Sequence, residues 1–194
     1  PTKNFAFNIE WDFNIVDAVA EHARGGYEYF EKDGNYIYEM AQWFPRMCVY
    51  DDVTGWQNKQ FLGQGEFALV FGDYKVTITA PEDMVVGATG ELLNPKEVLS
   101  VNQINRLKQA ETSATPVMIV NQKEAEDAEK SKSNKTKTWV YSAKNVRDFA
   151  FAASRKFIWD AMKVDVEGKK TWAMSLYPKE GNPLWEKYST RLVA

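Results

Sequence analysis

Apolar side chains at Phe5, Phe7, Ile9, Trp11 and Phe13 alternate with polar or small ones at Asn4, Ala6, Asn8, Glu10 and Asp12. A period of two puts each kind on its own face of an extended chain, which predicts a half-buried strand over 5–13. The period dissolves between 17 and 33 in a charged, glycine-containing stretch suited to a loop or short helix, and returns as a strand over 35–40. The β-rich runs 67–71 and 74–79 flank Gly72-Asp73, the signal of a hairpin. Further strands are predicted over 84–88, 117–120, 138–142, 148–153, 156–163 and 170–176. The stretch 98–107 fits a strand while 102–110 fits a helix, and the pattern does not choose between them. Residues 122–132, rich in Glu, Ala and Lys and with Glu126 four positions before Lys130, predict an internal helix. Asn182-Pro183 reads as a cap and first turn, after which Leu184, Tyr188 and Leu192 recur every four residues.

About nine or ten short strands separated by turn residues predict an all-β sandwich with one short internal helix and the start of a C-terminal helix, because each alternating face needs cover. The expected organisation is one β domain over 1–181, with 182–194 beginning the next unit.

Composition sharpens this picture. Seven Trp, nine Tyr and eleven Phe in 194 residues require a packed core and exclude wholesale disorder. A net charge of -3 provides no clustered positive field for nucleic acid, so no nucleic-acid partner is expected. No apolar run is long enough to span a bilayer. One cysteine, Cys48, precludes an internal disulfide, and one histidine, His22, cannot supply a conventional two-histidine metal site.

Candidate chemistry is sparse. Asp51 and Asp52 adjoin each other and Glu66 follows 14 positions later, but successive strand residues face opposite sides and Asp favours turns, so capping is the expected role of the aspartates. Cys48 lies in an apolar run and His22 in a charged loop, neither beside a catalytic partner. Gly63-Gln64-Gly65 lacks the residues that grip phosphate. Trp43, Trp56 and Trp139 either fill the core or, if exposed, offer rings to a sugar, as in a stand-alone binding module for carbohydrate or protein. No catalytic residues are expected in this chain.

The segments AQWFPRMCVYDDVTGW, GQGEF, YKVTITAP, ATGELLNP and NVRDFAFAASRKFIWDAM, in this order, resemble the N-terminal β domain of zinc aminopeptidases of the aminopeptidase N and leukotriene hydrolase type, particularly large bacterial members. The resemblance runs from about Phe5 to Ala194. It implies a saddle-like β domain preceding a thermolysin-like catalytic domain, with the helix after Pro183 leading into that domain. It implies zinc held by an H-E-x-x-H motif and a further Glu, none of which this chain carries, so no cofactor is expected here and zinc is expected in the catalytic domain. The implied partners are that domain and the amino terminus of a peptide substrate, in an envelope or secreted bacterial protein. It also implies a substrate-binding glutamine from the β domain, for which Gln42, followed by Arg46 and Asp51-Asp52, is the matching position. An amide there can accept from an ammonium group, while the alternative role is simply to close a strand.

Overall fold

The computed structural model describes residues 4–60 and 68–194. Twelve strands and four α-helices appear among them: β1 (Gly26–Phe30), β2 (Asn35–Met40), β3 (Tyr50–Asp51), β4 (Gly55–Trp56), β5 (Gly72–Pro81), β6 (Val85–Ala88), β7 (Glu91–Leu92), α1 (Pro95–Val98), α2 (Val101–Ala110), β8 (Val117–Val120), α3 (Gln122–Ser131), β9 (Thr136–Val146), β10 (Phe151–Ser154), β11 (Ile158–Val166), β12 (Lys169–Tyr177) and α4 (Leu184–Val193). The fold is mainly β and sandwich-like, as the alternation predicts. Its antiparallel sheets run β1-β2-β10-β6, β12-β11-β8 and β5-β9-β7, with the small ribbon β3-β4 beside them.

The three larger sheets share one core. Ile78 and Ala80 of β5 and Trp139, Tyr141 and Ala143 of β9 turn inward at every second position, while Thr79 and Thr138 meet on the outer face with hydroxyls 3.1 Å apart. Val86, Ala153, Ile119 and Ile158 bring the other two sheets into the same cluster, and Val98, Leu99, Ala110 and Ala125 cover it from the helical side. The ten-residue helices α2 and α3 begin where side chains replace missing backbone partners. Ser100 and Gln103 form a reciprocal capping box that starts α2, and Asn121 and Glu124 form another that starts α3. The ambiguous stretch around 98–110 is therefore helical, decided by a cap rather than by its apolar period.

Three sequence expectations change. Residues 5–13 form no strand: Phe5, Phe7, Ile9, Trp11 and Phe13 are all exposed, because the segment has no ladder partner among the described residues. Residues 26–30, expected in a loop, form β1, because Tyr27 and Tyr29 pair across the ladder with Tyr38 and Tyr36. Gly72-Asp73 makes no hairpin turn. It begins β5, whose partner is the distant β9, and the ladder shifts register between Gly72 and Tyr74, where the Asp73 carboxylate accepts from the Asn145 amide at 2.8 Å. Residues 68–71 are not a strand, and the remainder of that expected arm lies outside the described residues.

A buried amine joins the sheets to the helices. Lys156 follows β10 and is fully buried, with its Nζ bonded to Asp33 in the β1-β2 turn, to Glu129 of α3 at 3.0 Å and to Glu180 in the 3-10 turn at 179–181 at 3.1 Å. Lys179 adds a 2.5 Å bond to the other oxygen of Glu129, and the Phe30 ring lies 4.5 Å from the Lys156 amine. Nearby, Asp83 pairs with Arg155 at 2.8 Å and accepts from Ser131 and Ser133, fixing the end of α3 to the turn before β6.

Two consequences can be measured. Gly90 sits at φ +91, and an added Cβ would lie 2.3 Å from the Ser142 carbonyl, whereas Gly168 at φ +80 has nothing within 4 Å of such a carbon. Gly90→Ala should cost about 1–3 kcal/mol through strain and clash and Gly168→Ala distinctly less, as read by urea unfolding. Burial alone would raise the carboxyls of Asp33, Asp83 and Glu124, but bonds and charges from Lys156 and Asn35, from Ser131 and Arg155, and from Arg106 and the Asn121 amide outweigh it and hold all three below their ordinary values. Lowered groups stabilise the fold above their unfolded values and lose that contribution as pH falls through the folded ones. Stability should therefore be level near neutrality and decline below about pH 4, and a level profile down to pH 3 would contradict the ion-pair account.

Candidate functional site

Gln42 lies immediately after β2 in a left-handed backbone conformation, φ +56, which is unfavourable for a residue with a side chain. The turn it makes carries the chain out of the sheet and into Trp43, Phe44 and Pro45. Trp43 is fixed by its indole, which donates to the Phe149 carbonyl at 3.0 Å, and by edge contacts with Phe44 and Phe151. The exposed aromatic segment then folds back over it: the Trp11 indole donates to the Trp43 carbonyl at 3.2 Å, with the two ring systems 6.2 Å apart. The Tyr27 amide donates to the Val16 carbonyl at 2.8 Å and the Ala18 amide to the Tyr27 carbonyl at 2.9 Å, securing the end of that segment. At Gly26, φ +146, a Cβ would fall 2.3 Å from the Val16 carbonyl, so the close approach requires glycine there.

These elements enclose a groove of about 430 Å³ whose lining includes Trp11, Phe13, Met40, Trp43, Glu39 and Gln42. Glu39, Gln42 and Asn14 are the polar residues of a lining whose other members are aromatic, aliphatic or glycine. An ammonium group needs acceptors for its three protons, and indole faces add attraction for a cation. Among the described residues Glu39 is the one carboxylate on that lining, and no His, Cys, Ser or Thr stands there with it. Glu39 was not singled out from the sequence. Its position on β2, three residues before Gln42, was the available signal.

The other candidates are dispersed. Arg46 turns to Asp148 at 2.8 Å and to the Arg147 carbonyl, with its guanidinium beside the Phe44 ring, so its charge is committed elsewhere. Asp51 closes the turn between β3 and β4, accepting from the Thr54 and Val53 amides at 2.7 and 2.9 Å, and bonds from Thr54, then Gln57, push its carboxyl down to about 2. Asp52 is exposed, Cys48 and His22 are at the surface, and Trp139 is buried in the core. Trp56 is exposed and meets Tyr50 edge-on, while Trp11 and Trp43 are tilted by 37°, so neither pair offers the coplanar rings of a sugar platform. Glu66 and Gly63-Gln64-Gly65 lie outside the described residues.

Among the described residues no group of three or more His, Cys, Asp or Glu side chains is placed to hold a metal. No helix among them is long and apolar enough to cross a membrane. Compared with protein-family models, curated proteins and solved structures, the chain matches none.

The strained backbone at Gln42 gives a test that separates structure from binding. Gln42→Gly should leave the fold unchanged or stabilise it by up to about 1 kcal/mol in urea unfolding, because glycine accepts the left-handed conformation. A loss of stability would mean that the amide holds the strand end together and is structural.

Proposed function

We propose that this chain is the non-catalytic β domain of a zinc aminopeptidase-like protein, covering one side of the active-site cleft and receiving the substrate's amino terminus at Gln42. The observation that carries the reading is the groove itself: a left-handed glutamine and an adjacent carboxylate set into an aromatic wall, chemistry suited to an ammonium group on an apolar residue. The family resemblance supplies the larger context. In it, Gln42 and Glu39 orient the amine, Trp11 and Trp43 contact the first side chain, and bond cleavage belongs to the zinc-bearing catalytic domain of the full-length protein.

The exposed apolar surface supports a domain that works against a partner. Thr190 is the one buried residue of α4, whereas Leu184, Trp185, Leu192 and Val193 are exposed, so the helix turns apolar surface outward away from the groove that Tyr188 lines. Exposed apolar surface of this kind marks an interaction face. The catalytic domain is the partner proposed for it.

A tripeptide amide with a free amino terminus, titrated into the isolated chain and followed by the indole N–H resonances of Trp11 and Trp43, should give saturable shifts. Its N-acetylated counterpart should not, and Gln42→Ala should weaken binding by about tenfold, the value of a charge-assisted hydrogen bond at the low end of its range. Equal binding of the acetylated peptide would refute the role in amine recognition. Turnover of aminoacyl reporters by the isolated chain would refute the non-catalytic assignment.

A further inference from the structure

A second groove, of about 800 Å³, runs between α4 and the edge of β8 and has Pro116, Met118, Asp160, Glu186, Tyr188 and Arg191 in its lining. Asp160 is the unusual member. It lies in the middle of β11 between Trp159 and Ala161, only 2% exposed, where an apolar residue would ordinarily stand. The pairing of β11 with β8 shifts register at this point, setting Asp160 opposite Met118 on the groove side.

Half of this carboxylate is satisfied. Its Oδ2 accepts from the Tyr177 hydroxyl at 2.7 Å, while its Oδ1 has no partner. Burial, and then the bond to Asp160, push the Tyr177 phenol well above its ordinary value, so the hydroxyl remains a donor and Oδ2 remains occupied. A buried carboxylate oxygen without a donor is costly and rare, and here it belongs to a residue that lines an open groove.

We propose that this groove binds a primary alkylammonium group, with Asp160 Oδ1 as its acceptor. An ammonium suits the site better than a guanidinium. The guanidinium fork matches a carboxylate that offers both oxygens, and Tyr177 leaves only one. Met118 and Tyr188 supply surface for the methylene stem, with the Lys187 amine 5.1 Å from the Tyr188 ring centroid, and Glu186 and Lys187 on the same lining offset one another in charge. Arg191 on the same lining favours a ligand whose far end is anionic. The ammonium comes either from a small amino acid-like molecule with a terminal carboxylate or from a lysine side chain of a polypeptide. This site is separate from the Gln42 groove, with which it shares no lining residue.

The test is an NMR titration of the chain with carboxyl-labelled aspartate, using four probes: n-butylammonium, 6-aminohexanoate, Nα-acetyl-lysine methylamide and tetramethylammonium. Saturable movement of the Asp160 carboxyl signal with the first three and none with tetramethylammonium, which carries charge but no N–H, is the expected result. Tighter binding of 6-aminohexanoate assigns the small-molecule source, and tighter binding of the lysine derivative assigns the side-chain source. Asp160→Asn, which keeps an acceptor for Tyr177, should lower affinity at least tenfold. Tyr188→Ala, a change at an exposed helix position, should lower it severalfold and serves if the first variant does not fold. The proposal is overturned if no primary amine moves the signal, if tetramethylammonium moves it equally, or if affinity survives in both variants.

Discussion

A lysine amine sealed from solvent is tolerable only if acceptors surround it, and in this chain those acceptors come from three separate places. Lys156 draws in Asp33 from the β1-β2 turn, Glu129 from α3 and Glu180 from the turn before α4, with Lys179 balancing a second oxygen of Glu129. Each bond restricts the others, because displacing any one element would strand a charge in the interior. Asn35 extends the constraint: its side-chain amide donates to the Glu129 carbonyl at 3.1 Å, tying the start of β2 to the end of α3. The apolar cluster supplies the bulk of the burial, and the ion network specifies which turn meets which helix.

That specification determines where the two grooves lie. With β2 held at its start by the Asn35 bond, its other end carries Glu39 and leads through Ala41 to Gln42 at the strand's exit, where the aromatic segment 5–16 folds over Trp43. With the 179–181 turn held by Glu180 and Lys179, α4 leaves it along β11 and β12, burying Thr190 and closing the groove over Asp160. Both grooves are thus made by chain segments packed against a scaffold that the buried charges align. Their linings differ: the first is mostly aromatic and aliphatic with Glu39 its one charged side chain, and the second mixes Asp160 and Glu186 with Lys187 and Arg191.

Much of this architecture could be read from residue patterns, and the failures are physical. Alternation identified β9 because its inward and outward faces differ in polarity, whereas β11, buried on both faces at 158–161, was marked by its β-rich run alone. Alternation misled at 5–13, where the same pattern exists without a strand beside it, since periodicity reports two faces but not a ladder partner. Gly72-Asp73 looked like a turn because glycine and aspartate serve bulges as well as hairpins. The Tyr-Glu-Tyr-Phe run of β1 was hidden by the charges around it. The left-handed backbone at Gln42 had no cue in the residue pattern, which shows faces and not single φ angles. Lys156 and Asp160 carried a signal that went unused: each is an ionisable residue inside or beside the apolar run Phe157-Ile158-Trp159, where burial demands a partner.

The claim that a buried amine organises the fold is tested most directly by replacing it with an apolar side chain of similar length and measuring equilibrium unfolding in urea. Lys156→Met leaves Asp33, Glu129 and Glu180 facing one another without their shared cation. The account predicts a loss of about 3–5 kcal/mol, the cost of breaking a buried ion pair from one side. A change smaller than about 1 kcal/mol would place Lys156 among ordinary surface ion pairs and contradict it.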